Sequence, residues 1–190
     1  STIIVYPLEY LATSLALAST HFKSLDFPAP RPLVFVGVFT DIKIISADSI
    51  ASFTFVEKNK LDATAIQCWT SIQENYGCNV CTSMSMMSEN MLPSACEVDV
   101  TGTLTMYAMQ LASNSPSALV DWNNNYEEDE EKCVLFHCGN WAKSFLPDLK
   151  ISTAPILGSV FGEEKTHGAL DGRTPASPLT YGRISTDDNL

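Results

Sequence analysis

Two carboxylates stand where a protein could bind a metal ion or move protons. Glu97 closes a proline-bounded loop, residues 92–99, just before a helical pattern. Asp121 follows the apolar run 118–120, which predicts a buried strand that ends at this acid. Carboxylates act as general acids or bases and bind hard divalent cations through oxygen. Each residue alone also has an ordinary interpretation, as a helix cap for Glu97 and a loop cap for Asp121.

Polar side chains next to these acids could contact a ligand. Asn123, Asn124 and Asn125 offer amide donors and acceptors that suit sugar hydroxyls, although asparagines are equally typical of turns. His137 ends another apolar run, where an imidazole is either structural or a metal ligand. The acidic run 127–131 predicts a solvated loop, since many like charges stand together without fixed geometry.

A zinc-stabilised module is an alternative based on the cysteines. Cys78 and Cys81 form a CxxC pair, and Cys133 with Cys138 or His137 could complete four ligands. Cys133 and Cys138 lie five positions apart in a predicted strand, however, which places their thiols on opposite faces. The spacing therefore disfavours zinc.

The elements that would position these groups follow an α/β order. The pattern predicts helices over 8–25, 46–59 and 98–112, and strands over 33–39, 63–69, 118–122, 133–138, 154–161 and 178–185, the last two separated by a glycine-rich loop over 162–175. This order predicts an open α/β sheet domain over residues 1–146, followed by the start of a smaller β-rich domain over 147–190. Ligands of open α/β sheets bind where strands end.

Composition excludes some classes of partner. Hydrophobic residues make up 45% of the 190 residues and charged residues 17%, as in folded soluble proteins. The formal net charge of −11 disfavours nucleic acid and anionic membrane surfaces, which would repel the chain. A neutral ligand such as a sugar, or a divalent cation, suits this charge.

The chain is expected to be a cytoplasmic protein with reduced thiols. Its six cysteines lie within helix and strand patterns and form no small disulfide framework. Residues 11–19 are apolar but lack a basic leader and follow Glu9, which disfavours a secretory signal. No apolar run approaches the about 18 residues of a membrane span.

Six motifs together resemble the L-fucose isomerase family, which includes L-fucose and L-arabinose isomerase-like proteins. They are residues 65–70 (AIQCWT), 84–87 (MSMM), 92–99 (LPSACEVD), 121–126 (DWNNNY), 136–140 (FHCGN) and 178–188 (PLTYGRISTDD). The likeness runs from about residue 61 to 188 in one order. The 24 residues that separate Glu97 from Asp121 also match the family's two active-site carboxylates.

The resemblance implies a metal-dependent aldose–ketose isomerase that acts through a cis-enediol. Glu97 and Asp121 would ligate Mn²⁺ or another divalent cation and take part in proton transfer, with His137 as a further metal ligand. Gln67, Trp69 and Asn123, Asn124 and Asn125 would line the sugar pocket. Members of the family usually form homo-oligomers, so the resemblance also implies a homo-oligomer.

The chain also departs from the family pattern. Residues 1–60 match poorly, family members are longer, and the family's metal-binding histidine lies downstream of residue 190. The chain is therefore expected to be an incomplete fragment. A non-catalytic sugar-binding or assembly piece of the same fold is the second interpretation.

Overall fold

The computed structural model of the chain describes residues 49–137 and 140–185. Within them lie helices α1 (Ser49–Asn59), α2 (Ser71–Tyr76), α3 (Cys81–Glu89), α4 (Val100–Ser113) and α5 (Pro155–Phe161), and strands β1 (Thr64–Ala65), β2 (Ser94–Ala95), β3 (Asp121–Tyr126), β4 (Asp129–Phe136), β5 (Lys150–Ser152) and β6 (Ala169–Asp171). The α/β class predicted from the sequence is confirmed. The predicted helix 8–25 and strand 33–39 lie outside the described residues.

Strands β1 and β2 are parallel, and their carboxyl ends carry two of the predicted site residues. The pairing continues past the strands, because the Ile66 amide donates to the Ala95 carbonyl at 2.9 Å and the Val98 amide donates to the Ile66 carbonyl at 3.2 Å. Gln67 follows β1 and Glu97 follows β2, so both lie at the carboxyl-terminal edge of this small sheet. That edge is where ligands of α/β sheets bind.

The first hydrophobic core surrounds these short strands. Met84 and Met87 of α3 are completely buried, as is Cys96 directly before Glu97. Methionine is flexible and fills irregular gaps, which suits a core in which the strands are only two residues long. Cys96 and its neighbours therefore hold the start of the Glu97 loop in place.

A second core lies on one face of the β3–β4 hairpin. Cys133 and Leu135 are buried at alternate positions of β4, and they pack with Trp141 and Leu146. This period of two is the expected pattern of a strand with one buried face. Four of the five residues of the acidic run 127–131 are exposed, but the predicted loop is wrong in part, because Asp129 is half-buried and the residues from Asp129 onward belong to β4.

Residues 166–168 tie the last part of the described chain to the start of α3. The Asn79 amide donates to the His167 carbonyl at 2.8 Å, and the Thr82 amide donates to the Gly168 carbonyl at 3.0 Å. The Gly168 amide in turn donates to the Ser152 carbonyl at 3.0 Å. Gly168 has φ +106° and therefore needs the freedom of glycine.

Replacing Gly168 by Ala is expected to lower the free energy of unfolding by about 2–4 kcal/mol, because a left-handed backbone cost adds to a clash. A Cβ at this position would lie 2.5 Å from the Asn79 carbonyl oxygen. The matched control is Gly77→Ala, where φ is +67° but nothing lies within 4 Å of the added carbon. Urea denaturation should show a loss of only about 1–2 kcal/mol for the control. Equal losses for both variants would contradict this packing.

Four sequence predictions about the elements are corrected by the structure. The predicted strand 154–161 is the helix α5, which begins with a proline at a favourable first position. The predicted strand 178–185 has no regular structure, and residues 162–175 include β6. The run 118–120 is not a strand, since the ladder begins at Asp121.

The division into domains 1–146 and 147–190 stays a prediction. Among the described helices, none is both long and apolar enough to cross a bilayer.

Candidate active site

Glu97 lies in a strained backbone turn. Its φ is +61°, and that of Val98 is +54°. Residues other than glycine rarely adopt such angles, and a β-branched residue such as valine does so least of all. Strain of this kind concentrates at functional sites, where the surrounding structure holds a side chain in one direction. The Glu97 side chain points to solvent directly after the fully buried Cys96.

The helix cap of α4 is Asp99, which removes the ordinary interpretation of Glu97. One Asp99 carboxylate oxygen accepts from the Gly102 amide at 2.7 Å and from the Thr101 hydroxyl at 3.0 Å. Within residues 49–137 and 140–185, the Glu97 carboxylate has no hydrogen bond or ion pair. Glu97 is thus available to a ligand, whereas Asp99 is committed to the helix.

Asp121 is the first residue of β3 and faces Phe136 of β4 across the hairpin. The sequence placed it at the carboxyl end of a strand, and this is wrong because residues 118–120 form no ladder. Its side chain is exposed, and its carboxylate likewise has no partner among the residues that the structure describes.

Packing of Leu119 brings the segment of Asp121 to the first turn of α4. A Cβ at Gly102 would lie 2.8 Å from Leu119 Cδ1 and 2.5 Å from Asp99 Oδ2. The missing side chain of Gly102 therefore lets Leu119 approach the helix start. Asp121 is two residues beyond Leu119, and Glu97 is two residues before the cap Asp99.

A second connection runs through the segment 181–184. The rings of Tyr181 and Trp122 meet edge to face, with centroids 5.6 Å apart. Arg183 Nη1 lies 3.9 Å from Asp99 Oδ2. The Ile184 amide donates to the Thr105 hydroxyl of α4 at 2.9 Å. This segment contacts both the neighbour of Asp121 and the helix cap next to the Glu97 loop. We call the region from Glu97 and Asp99 to Asp121 and Trp122 the corner.

The predicted sugar-contacting residues fall into two groups. Gln67 is half-buried beside Glu97, and its side-chain amide donates to the Trp69 carbonyl; Trp69 is partly exposed. Asn123 is exposed and its amide donates to the Asp121 carbonyl at 3.4 Å. Asn124 and Asn125 lie in β3 rather than in a turn, and their side chains are outside the described part.

His137 does not join Asp121. Paired residues of a hairpin share a face and successive residues alternate, so the pairing of Asp121 with Phe136 sends His137 to the opposite face. His137 is 7% exposed and continues the buried positions of Cys133 and Leu135. On that face burial raises the pKa of the Cys133 thiol.

The side chains predicted to bind a metal ion are not grouped as a complete ligand set. In the described ranges, no group of three or more His, Cys, Asp or Glu side chains is placed to hold a metal ion. Glu97, Asp121 and His137 therefore do not form a three-ligand set, and neither do Cys78, Cys81 and Cys133. Two exposed carboxylates still fit a hard divalent cation, since such ions often bind one or two carboxylates and take water or substrate oxygens for the rest.

The chain was compared with known proteins. It is 33% identical over 90 residues to a protein named sulfoquinovose isomerase from Clostridium sp. (strain MSTE9). The aligned region is 47% of this chain and 20% of that protein. It is 28% identical over 131 residues to the sulfoquinovose isomerase of Priestia aryabhattai, which covers 68% of this chain and 28% of the relative. The chain is homologous to sugar isomerases. A sulfoquinovose isomerase from Alkalicoccus urumqiensis is 29% identical over 90 residues, 47% of this chain and 20% of that protein.

The matches span 20% to 28% of the length of these relatives. No protein-family model and no solved structure matches the chain. The homology supports a sugar isomerase family, in keeping with the resemblance that the motifs carry, but it does not single out the L-fucose isomerase family.

Sequence reasoning missed three residues of this corner. Trp122, Tyr181 and Arg183 were quoted within motifs, yet no role was attached to them. Their contacts join positions about 60 to 80 apart in the chain, as in Arg183 with Asp99. No local pattern in the sequence signalled them: even at Gly182, between Tyr181 and Arg183, an added Cβ would meet only Met109 Sδ at 3.9 Å, so the glycine marks no close approach.

Proposed function

We propose that the protein is an aldose–ketose isomerase in which Glu97 and Asp121 are the acid–base pair. The observation that carries the proposal is the pair of exposed carboxylates without partners, one on a strained turn and one at a strand start, linked through the helix cap of α4. Homology to sugar isomerases supports the reaction class.

The chemistry needs two proton movements. In the open-chain aldose, one carboxylate takes the proton from C2 while the carbonyl oxygen at C1 gains a proton, which gives a cis-enediol. The same carboxylate returns its proton to C1 as the C2 hydroxyl loses its proton, and the ketose results. The second carboxylate assists the transfer between the oxygens. Glu97 has the longer side chain, on a backbone turn that holds it in one direction, and we assign it the proton of the carbon atoms. We assign Asp121 the proton transfer between the oxygens.

Glu97 and Asp121 would also hold a divalent cation, Mn²⁺ or a similar ion. When bound, such a cation would polarise the two sugar oxygens as a Lewis acid. Oxygen donors suit a hard ion better than the thiolates of this chain would. His137 remains a proposed ligand from the resemblance, although its place on the opposite face of the hairpin does not favour it.

Substrate contacts are proposed from the side chains near the corner. Trp69 would stack on a C–H face of the sugar, and Gln67 and Asn123 would bond to its hydroxyls, with Asn124 and Asn125 in the same role. The names of the relatives put sulfoquinovose, a hexose that carries a sulfonate on C6, among the candidate aldoses beside L-fucose, D-arabinose and L-arabinose. A cytoplasmic homo-oligomer completes the proposal.

A non-catalytic sugar-binding or assembly role is the second candidate. It is favoured by the lack of a three-ligand metal group over the described residues. Such a protein would bind a sugar without changing it.

The test is ketose formation from a panel of the four aldoses by the purified oligomeric protein that carries this chain. The isomerase proposal predicts turnover of at least one sugar, its loss after treatment with a chelator and its return with Mn²⁺. Binding without any turnover in the presence of Mn²⁺ would favour the second candidate. Turnover that survives thorough chelation would refute the metal requirement but not the isomerase activity.

A further inference from the structure

The CxxC pair Cys78 and Cys81 has no role in the proposed isomerase chemistry. Cys81 is the first residue of α3 and is only 3% exposed, whereas Cys78 is half-buried. Both are thiols rather than a disulfide. Among the cysteines that the structure describes, Cys78 is the one that a dissolved reagent reaches most easily, because the others are all buried: Cys68, Cys81, Cys96 and Cys133.

Asn79, which follows Cys78, bonds the start of α3 to two distant segments. Its backbone amide donates to the His167 carbonyl at 2.8 Å, and its side-chain amide donates to the Thr166 carbonyl at 2.8 Å. Its side-chain oxygen accepts from the side-chain amide of Gln73, which is completely buried. The same Gln73 amide donates to the Cys68 carbonyl at 2.9 Å. A movement of Asn79 would therefore disturb bonds on both sides of it.

We propose that Cys78 and Cys81 form a reversible disulfide and that its closure loosens the bonds of Asn79. Two thiols do not complete a zinc site, and within 49–137 and 140–185 no third His, Cys, Asp or Glu joins them. A disulfide has a narrow geometry, with the sulfur atoms about 2 Å apart, so closure constrains the backbone of Asn79 and Val80 inside the ring. Because Cys81 is held in α3, the movement falls on Cys78 and Asn79.

The oxidant is a small soluble disulfide such as oxidised glutathione. The Cys78 thiolate attacks one of its sulfur atoms, which gives a mixed disulfide and releases one glutathione thiolate. The Cys81 thiolate then attacks Cys78 Sγ, and the second glutathione thiolate leaves. The protons of the two protein thiols end on the two glutathione thiolates. The protein thus loses two electrons, and the oxidised glutathione gains them.

The consequence reaches the segment that is proposed to contact the sugar. Gln73 bonds to the carbonyl of Cys68, and Cys68 directly precedes Trp69. When Asn79 no longer holds the Gln73 amide, this carbonyl loses a fixed partner. Sugar binding is therefore expected to weaken by about 2- to 10-fold on oxidation, as for loss of one neutral hydrogen bond. This effect on the sugar rests on the proposed function, whereas the disulfide does not.

The chemistry is tested by incubating the reduced, purified protein with oxidised glutathione and mapping its cysteines by peptide mass spectrometry. A disulfide between Cys78 and Cys81 is expected in the wild type, and dithiothreitol should reverse it. Cys81→Ala should trap one glutathione on Cys78, because the second attack is lost. Cys78→Ala is the matched control and should leave Cys81 unmodified, because Cys81 is buried.

A thermal melt of each variant checks that it is folded, and the wild-type result does not depend on either variant. Absence of the Cys78–Cys81 disulfide in the wild type would overturn the proposal. Glutathione on Cys81 in folded Cys78→Ala, as readily as on Cys78 in Cys81→Ala, would overturn the assignment of Cys78 as the attacking thiol.

Hydrogen exchange tests the loosening without a sugar. The Asn79 amide should exchange about 10-fold faster in the oxidised wild type, and it should not change when Cys78→Ala is treated with the same oxidant. Unchanged exchange in fully oxidised protein would overturn the loosening.

Calorimetric binding of the aldoses to reduced and oxidised protein separates this inference from the proposed function. A disulfide with faster exchange at Asn79, in a protein that converts no aldose, would support the inference while the isomerase proposal fails. Equal sugar binding in both redox states would overturn the connection to Trp69 even if ketose forms.

Discussion

Replacing Glu97 by Gln lowers kcat for ketose formation by about 10²- to 10⁴-fold, the usual loss when a positioned acid–base group is removed. Glutamine keeps the size and polarity of the side chain but cannot take a proton from carbon. The left-handed turn at Glu97 and Val98 depends on the backbone, so the variant should fold with an unchanged melting temperature. Initial rates at saturating sugar measure the effect.

Glu74→Gln is the control for this variant. Glu74 is an exposed glutamate in α2, remote in sequence from the corner, and its replacement removes the same charge. Its kcat should stay within about twofold of the wild type, as for surface changes in general. If Glu97→Gln behaves like Glu74→Gln, the strained turn has no catalytic role.

Asp121→Asn is expected to lower kcat by a comparable factor, about 10²-fold or more, because asparagine can neither accept the hydroxyl proton nor ligate a cation as a carboxylate. The backbone pairing of residue 121 with Phe136 does not use the side chain, so the hairpin should be retained. Steady-state rates measure the loss in kcat, and circular dichroism checks that the fold is retained.

The control for Asp121 is Asp148→Asn, an exposed aspartate outside the β3–β4 hairpin. The double variant Glu97→Gln with Asp121→Asn gives a further check. Residues that act as one unit are strongly non-additive, so the double variant should be little slower than the slower single variant. Losses that multiply in full would mean that the two carboxylates act separately.

Part of the fold followed from local patterns in the sequence. The α/β class and the helix predicted over 98–112 are confirmed, the latter as α4 from Val100 to Ser113. The strand predicted over 133–138 corresponds to β4, which runs from Asp129 to Phe136. Such elements are encoded by periodicity and by cap residues that lie next to them in the chain.

Other elements depended on contacts that no local pattern contains. The run 154–161 has apolar and small residues that fit a strand or a helix, and Pro155 at the first helical position decides for the helix. The run 118–120 is apolar because Ala118 and Val120 pack on the second core, not because it forms a ladder. Short apolar runs are ambiguous for this reason.

The candidate site was likewise only partly predictable, because some of its contacts join residues that are distant in the sequence. The sequence made Glu97 a possible helix cap, but the structure gives that place to Asp99, whose carboxylate accepts from the Gly102 amide of α4. The face of His137 follows from a hairpin register that the sequence does not specify. Arg183 reaches Asp99 across more than 80 residues, which single-sequence patterns cannot reveal.

The most direct test of the isomerase reaction is prolonged incubation of each aldose with wild-type protein and Mn²⁺ in D₂O, followed by nuclear magnetic resonance of the sugars. The proposed proton transfer predicts that ketose forms and that deuterium accumulates over many turnovers at C1 of the ketose and C2 of the aldose, with both signals lost in Glu97→Gln. No ketose from any of the aldoses, or the same rate and labelling in Glu97→Gln, would contradict it.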